Sequence, residues 1–242
     1  GYVNEASGLA SSALGFRNKA ANENASAVGY GNNAGGVASS AFGFSNVAKV
    51  DYASAFGYSN EASGLASSAV GFRNKAASEN ASAVGYGNNA NALAASAVGY
   101  NNTAGGVGSS TIGYNNTATN ENASAFGYGN TAGGLASSAF GFSNTASGDN
   151  ANAFGYNNIA SGSKSNVFGT GNTVSGSSST AVGTANEVAA ENSTAIGNNN
   201  TISSGAENSA ALGNNISISL KDSVALGNNS TATAINSVTG NS

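Results

Sequence analysis

The sequence predicts an all-β solenoid, a parallel β-roll of about 17 coils of 14 residues. Three observations carry the expectation: a glycine recurs every 14 residues, the residues around it alternate small and large with the period of a strand, and the chain contains no proline. Proline would interrupt the backbone pairing that stacked coils need on both sides.

The grid comes first. Gly1, Gly15, Gly29, Gly43, Gly57, Gly71, Gly85, Gly99, Gly113, Gly127, Gly141, Gly155, Gly169, Gly183 and Gly197 fall at steps of 14, a step of 16 reaches Gly213, and a last step of 14 reaches Gly227. The extra two residues are expected in the turn near Ser204 to Ala206, not in a strand. Residues 57–90 repeat residues 1–34 with only Ser59, Val70 and Ser78 changed, the mark of recent duplication of a four-coil block.

Each position within the coil has its own chemistry. Two places before the glycine stands Ala in nearly every coil, as in Ala13, Ala27, Ala41 and Ala55, and four places before it only Ser or Ala. These small residues share one face of a strand with the glycine. The residue just before the glycine is always large and apolar, and the residue just after it is aromatic in every coil through Tyr156, so these two columns share the other face. Asn follows three places after the glycine in 15 consecutive coils, Asn4 to Asn200, and Ala, Val or Ile follows at five places. A second short strand is expected there, and a "GG", "SG" or "AN" turn returns the chain.

Fourteen residues are too few for a helical hairpin and enough for two short strands and two turns. Stacked at about 4.8 Å, the coils would extend roughly 80 Å. Stacked Asn amides donate and accept along such a ladder, which is a structural reading of the Asn column.

A two-strand coil this thin holds only small groups inside, so the large column must point outward. That column is Leu14, Val28, Phe42, Phe56, Val70, Val84, Val98, Ile112, Phe126, Phe140, Phe154, Phe168, Val182, Ile196, Leu212 and Leu226. An apolar stripe of this length exceeds the few hundred Å² that monomers leave exposed. A symmetric homo-oligomer, with identical ladders matched coil by coil about a common axis, would cover it.

Composition excludes other classes. Only 7% of residues are charged, the net charge is -4, and the seven Lys and Arg are scattered, so no nucleic-acid surface is expected. No Cys or His is present, which removes disulfides, thiolate sites and most nucleophile–base pairs. No apolar run approaches the roughly 20 residues of a membrane span, so no membrane contact by this segment is expected. The chain opens without Met, as expected of a piece of a longer protein. Neither catalytic residues, a metal site nor a cofactor is expected. The acids Glu23, Asp51, Glu79, Glu121, Asp149, Glu191 and Glu207 share a turn row, read as a solvated edge that discourages association between rolls. Glu5 with Lys19, and Glu61 with Lys75, are expected as exposed pairs one coil apart, with Arg17 and Arg73 solvated nearby. The file Thr103, Thr117, Thr131 and Thr145 is a single row interrupted by Ile159, too narrow for an ice-binding array.

The motifs "SVALG" at 223–227, "STAIG" at 193–197 and "STAVG" at 179–183, each followed by an Asn-rich strand and a small-residue turn, resemble the head repeat of YadA-like trimeric autotransporter adhesins. The resemblance spans nearly the whole chain at the family's repeat length. It implies a left-handed parallel β-roll assembled as a homotrimer, with the sixteen-residue stripe at the trimer interface. It further implies a bacterial cell-surface adhesin head, anchored to the Gram-negative outer membrane through regions not in this chain. Such a head attaches to host extracellular matrix, host cells or abiotic surfaces, with autoagglutination as a further activity; a passive spacer projecting another binding domain is the alternative. Residues 1–232 would form the head, and 233–242 the transition toward a neck or stalk. "SA" in place of the family's more usual "SV" ahead of the large residue, and Phe or Tyr after the glycine where the family usually has a small or polar residue, are departures from the family pattern.

The aromatic column is the candidate adhesive feature, with Tyr86, Tyr100, Tyr114 and Tyr128 as ligand-binding candidates. Tyr offers large contact area at low entropic cost and tolerates a half-wet edge. After Tyr156 the column continues as Thr170, Thr184 and Asn198.

Overall fold

The computed structural model describes residues 2–233. Two compact units divide the chain, Gly1–Gly129 and Asn130–Ser242. Both are parallel β-solenoids, and no helix occurs among the described residues.

In the first unit, nine five-residue strands run from Ser12–Phe16 to Ser124–Tyr128, and nine two-residue strands from Glu5–Ala6 to Thr117–Ala118. The long strands form one parallel ladder and the short strands another, each pairing a residue with its counterpart 14 positions on: Val28 with Phe42, Gly29 with Gly43, Lys19 with Asn33. The second unit repeats the plan with seven long strands, Ser138–Phe142 to Val224–Asn228, and eight short ones, Thr131–Ala132 to Thr231–Ala232. Among the described residues the long strands number 16, one fewer than the anchor glycines of the sequence. The first anchor, Gly1, lies outside the described residues, as does all but the first residue of the segment 233–242.

The two extra residues of the long step sit in a turn. Seven residues, 203–209, connect Thr201–Ile202 to Ala210–Asn214. The coil before it uses five, 189–193. Both ladders keep their register across the insertion, with Ile202 opposite Ile218 and Gly197 opposite Gly213.

The anchor glycine is required by close approach. Gly99 has φ of +119°, and a Cβ built on it would lie 2.1 Å from the carbonyl oxygen of Gly113 in the next coil. No L-residue side chain fits there, and the same contact recurs coil after coil, which is why the grid is unbroken.

The buried Asn column explains how so thin a body closes its polar groups. Asn88 donates through Nδ2 to the carbonyls of Val84 at 2.9 Å and Gly99 at 2.7 Å, and to Asn74 Oδ1 at 3.0 Å. Its Oδ1 accepts from the backbone N–H and from Nδ2 of Asn102, both at 3.0 Å. One amide thus ties its own coil to the coil before and the coil after. The column is a structural ladder, and its side chains are 0–1% exposed from Asn18 to Asn200. At the last two coils Ile216 and Ser230 take the position; Ile216 N–H still donates to Asn200 Oδ1 at 3.0 Å, so the apolar side chain ends the ladder without orphaning it.

The interior of the first unit is mainly alanine, for example Ala27, Ala34, Ala41 and Ala48, with Thr111 and serines such as Ser39 also fully buried. In the second it enlarges to Val167, Val174, Val188, Ile202 and Ile218, all fully buried. An inner column restricted to very small groups is therefore too narrow a description. Because like stacks on like, a gradual change from Ala to Val to Ile along one column enlarges the core without a clash at any single step.

Candidate functional site

Alternation along each long strand sets the outer face. In Ser82–Tyr86 the Ala is buried, the Val before the glycine is exposed, and the Tyr after it is exposed. The sixteen large residues of the predicted interface take this outward position throughout. Leu14, Phe56, Val70, Val84, Ile112, Phe168, Val182, Ile196, Leu212 and Leu226 are exposed, and Val28, Phe42, Val98, Phe126, Phe140 and Phe154 are half-buried. Consecutive Phe residues stack, Phe42 on Phe56 at 5.2 Å and Phe140 on Phe154 at 4.9 Å between centroids.

The aromatic column stands two residues further along the same strands. In the first unit Tyr86, Tyr100, Tyr114 and Tyr128 stack at 4.7, 4.9 and 4.8 Å with rings within 4–5° of parallel. The column extends back through Phe72, Tyr58, Phe44, Tyr30 and Phe16 to Tyr2 at similar spacing. All four Tyr candidates are therefore brought into one ladder, and each is exposed. The stacking decides what they present. Each inner ring has a neighbour on both faces, so solvent meets a row of ring edges and hydroxyls about 4.8 Å apart, one per coil.

Arg17 and Arg73 are not simply solvated. Each guanidinium lies 5.2 Å from the centroid of the preceding ring, Phe16 or Phe72, close enough for a cation–π attraction. Those two rings are half-buried where the Tyr86 ring is exposed. The motif "GFR" occurs only at these two coils, but the seating depends on the direction in which each Arg side chain leaves a backbone of positive φ.

The turn row is more than a charged edge. Asp51 Oδ1 accepts the backbone N–H of Val37 at 2.8 Å, and Asp149 Oδ1 accepts that of Leu135 at 3.0 Å. A short acid thus caps the turn of the preceding coil. The pairs Lys19–Glu5 and Lys75–Glu61 form at 3.4 and 3.9 Å, all four side chains being about half exposed. Such pairs are worth about 0–1 kcal/mol and make no site. No cluster of three or more potential metal ligands occurs among the described residues. No helix among them is long and apolar enough to cross a membrane.

Comparison with known families agrees with this geometry. The family model described as "YadA head domain repeat (2 copies)" matches residues 6–32, 34–60, 62–88, 104–130, 132–158, 175–200 and 221–238. None of the curated proteins matches the chain significantly. The family matches cover well over half of the 242 residues in the register of the anchor glycines, and the chain belongs to the YadA head-domain family, an adhesin-type head.

Proposed function

We propose that this chain is the head of a trimeric, surface-exposed bacterial adhesin whose adhesive element is the aromatic ladder. The observation that carries the reading is the pairing of two outward columns on the same strands, one purely apolar and one rich in Tyr. They divide the work. The sixteen-residue column from Leu14 to Leu226 faces a three-fold axis and covers itself with its own copies. Burying those side chains supplies about 25 cal/mol per Å² of apolar surface removed from water, so the trimer is far more stable than the separate chain. Tyr86, Tyr100, Tyr114 and Tyr128 stay at the rim of that interface with their hydroxyls in water.

A ladder of near-identical ring edges binds by repetition. Each coil contributes a shallow apolar contact and one hydroxyl, and many weak contacts add through avidity. Extended matrix proteins, cell surfaces and abiotic polymers suit such a strip, and a second head of the same kind suits it equally, which is the route to autoagglutination. Anchoring to an outer membrane falls to regions outside residues 1–242, and residues 233–242 lead from the head, 1–232, toward a neck or stalk.

The test replaces Tyr86, Tyr100, Tyr114 and Tyr128 together with Thr, the residue that holds this column at Thr170 and Thr184. Sedimentation reports the trimer, and retention on collagens, fibronectin, laminin and polystyrene reports adhesion. Lost retention with the trimer intact is the expected result. Dissociation of the trimer, or full retention on every surface, refutes the assignment.

A further inference from the structure

Within the second unit the aromatic column comes to an end, and the end is chemically unlike its interior. Tyr156 stacks on Phe142 at 5.3 Å through one face of its ring. Its other face looks along the ladder to Thr170, its register partner, and beyond that to Thr184 and Asn198. A Thr side chain is too small to cover a phenol ring. Tyr156 is accordingly 54% exposed, against 42% for Phe142.

Beyond the ring the surface steps down. Thr170 and Thr184 are exposed, and neither hydroxyl makes a hydrogen bond to another described residue. Beside Thr170 stands Gly171, where a built Cβ meets nothing within 4 Å, and beside Thr184 stands Ala185. At the far end Asn198 turns its Nδ2 to Asn214 Oδ1 at 2.7 Å, which leaves its own carbonyl oxygen as an acceptor. The result is an open shelf with an aromatic wall at one end, an amide at the other, and about three coil spacings, roughly 14 Å, between them. Phe168 and Val182 line its apolar side.

We propose that this shelf is a subsite for a neutral pyranose ring, stacked on the open face of Tyr156 where a further aromatic coil would otherwise place its own ring. The π face carries negative potential and attracts the polarised C–H bonds that cover one face of a sugar. The Thr170 hydroxyl, one coil spacing from the Tyr156 ring, then meets an equatorial hydroxyl at the sugar's rim, a match that a purely apolar ring would leave unused, while Thr184 and Asn198 lie two and three spacings off and can meet only a further sugar unit. Neither outward column of the long strands carries a charged residue between Tyr156 and Asn198, the exposed Glu187 standing on the short-strand ladder, so a neutral sugar fits the shelf better than an acidic one. The inner rings offer only edges; of the terminal rings, Tyr2 stacks on Phe16 alone, and Tyr156 is the one whose open face looks onto Thr170, which makes the Tyr156 end the stacking position. The inference rests on the reading that the aromatic column stays at an accessible rim of the assembled head.

The probe is cellotetraose, whose glucose rings carry C–H bonds on both faces, titrated into the full chain and followed by NMR. Expected are upfield ring-current shifts of the sugar H1, H3 and H5 protons and intermolecular NOEs to the Tyr156 ring but not to Tyr86. The double variant Thr170→Tyr, Thr184→Tyr fills the shelf with the residue type that the earlier coils already carry at this position, so its melting temperature is kept or raised. The ring introduced at position 184 becomes the new end of the ladder, so the intermolecular NOEs should leave Tyr156 and appear on that ring. Tyrosine nitration mapped on the assembled wild-type protein separates the two readings. If Tyr156 and Tyr86 are modified yet no upfield shift occurs, the sugar subsite is wrong and the adhesive ladder stands. Protection of both tyrosines overturns both. NOEs that stay on Tyr156 in the double variant, or NOEs spread over all tyrosines, overturn the subsite alone.

Discussion

The Asn ladder makes a quantitative prediction at Asn88, tested by two substitutions that fail for different reasons. Asn88→Ala removes the only side-chain acceptor of the Asn102 backbone N–H, and Asn102 is fully buried. It also takes the amide donor from the Gly99 and Val84 carbonyls. One orphaned buried donor costs about 1–3 kcal/mol, and the two weakened acceptors about 1 kcal/mol between them, so a loss of roughly 3 kcal/mol is expected. Asn88→Asp keeps the shape and the acceptor, but sets a carboxylate oxygen where Nδ2 lies 2.7 Å from Gly99 O and 2.9 Å from Val84 O. Burial and the facing carbonyls both oppose the charge, raising the folded-state pKa above the unfolded Asp value of about 3.9. The native state then binds more protons than the unfolded state between those two values, so stability falls as pH rises through that window and recovers as pH drops. At pH 7 Asp should therefore be worse than Ala. Near pH 4 the protonated acid donates to Gly99 O and should overtake Ala. Melting temperatures of both variants at fixed protein concentration from pH 7 to 4, with hydrogen exchange at the Asn102 amide, read this directly. An Ala variant within about 0.5 kcal/mol of wild type, or an Asp variant whose deficit is independent of pH, would falsify the ladder's energetic role.

Two further outcomes check other columns. Phe140→Asp with Phe154→Asp puts two charges per chain on the proposed trimer axis, each costing several kcal/mol if buried there unpaired; sedimentation should show separated or unfolded chains, and an intact trimer would remove the stripe from the interface. Gly99→Ala brings a Cβ to 2.1 Å from Gly113 O at a φ of +119°, so strain of about 1–3 kcal/mol adds to a backbone collision; near-native melting would show that the coils can slide apart.

How much of this was legible in the sequence depends on whether a feature repeats at the coil period. The anchor glycines, the inward Ala columns, the Asn ladder and the Lys19–Glu5 and Lys75–Glu61 pairs follow from stepping 14 residues along the sequence, because a parallel ladder in register turns sequence period into contact. Other features depend on distances within and between coils. The acceptors of each Asn amide, one on its own strand and one on the next, require knowing how far the strand lies from its turn. Capping of Val37 by Asp51 requires the tilt of one turn over another. The seating of Arg73 on Phe72 requires the direction of a side chain leaving a left-handed residue, φ +53°. A signal did exist for one missed feature. In four turns a Gly N–H is bound by a buried Ser three residues on, as Gly36 is by Ser39 and Gly106 by Ser109 at 3.1 Å, and the two residue types occur together in the sequence.

The same contrast bears on where function can reside in a solenoid. The buried Asn column is constrained by its copies: changing Asn102 disturbs Asn88 and Asn116, so neighbouring coils must agree. An outward column is constrained only by solvent and partners, and it can change type along the chain. The aromatic column does so once, at the step from Tyr156 to Thr170, whereas the apolar column beside it passes the same point with Phe154 stacked on Phe168 at 5.3 Å. A requirement of folding would have shifted both columns together, since both stand on one strand. A change confined to the Tyr column, with the apolar column continuing, is what the proposed division between a self-covering stripe and an adhesive ladder requires. On that proposal, assembly and adhesion are set two residues apart on the same strand.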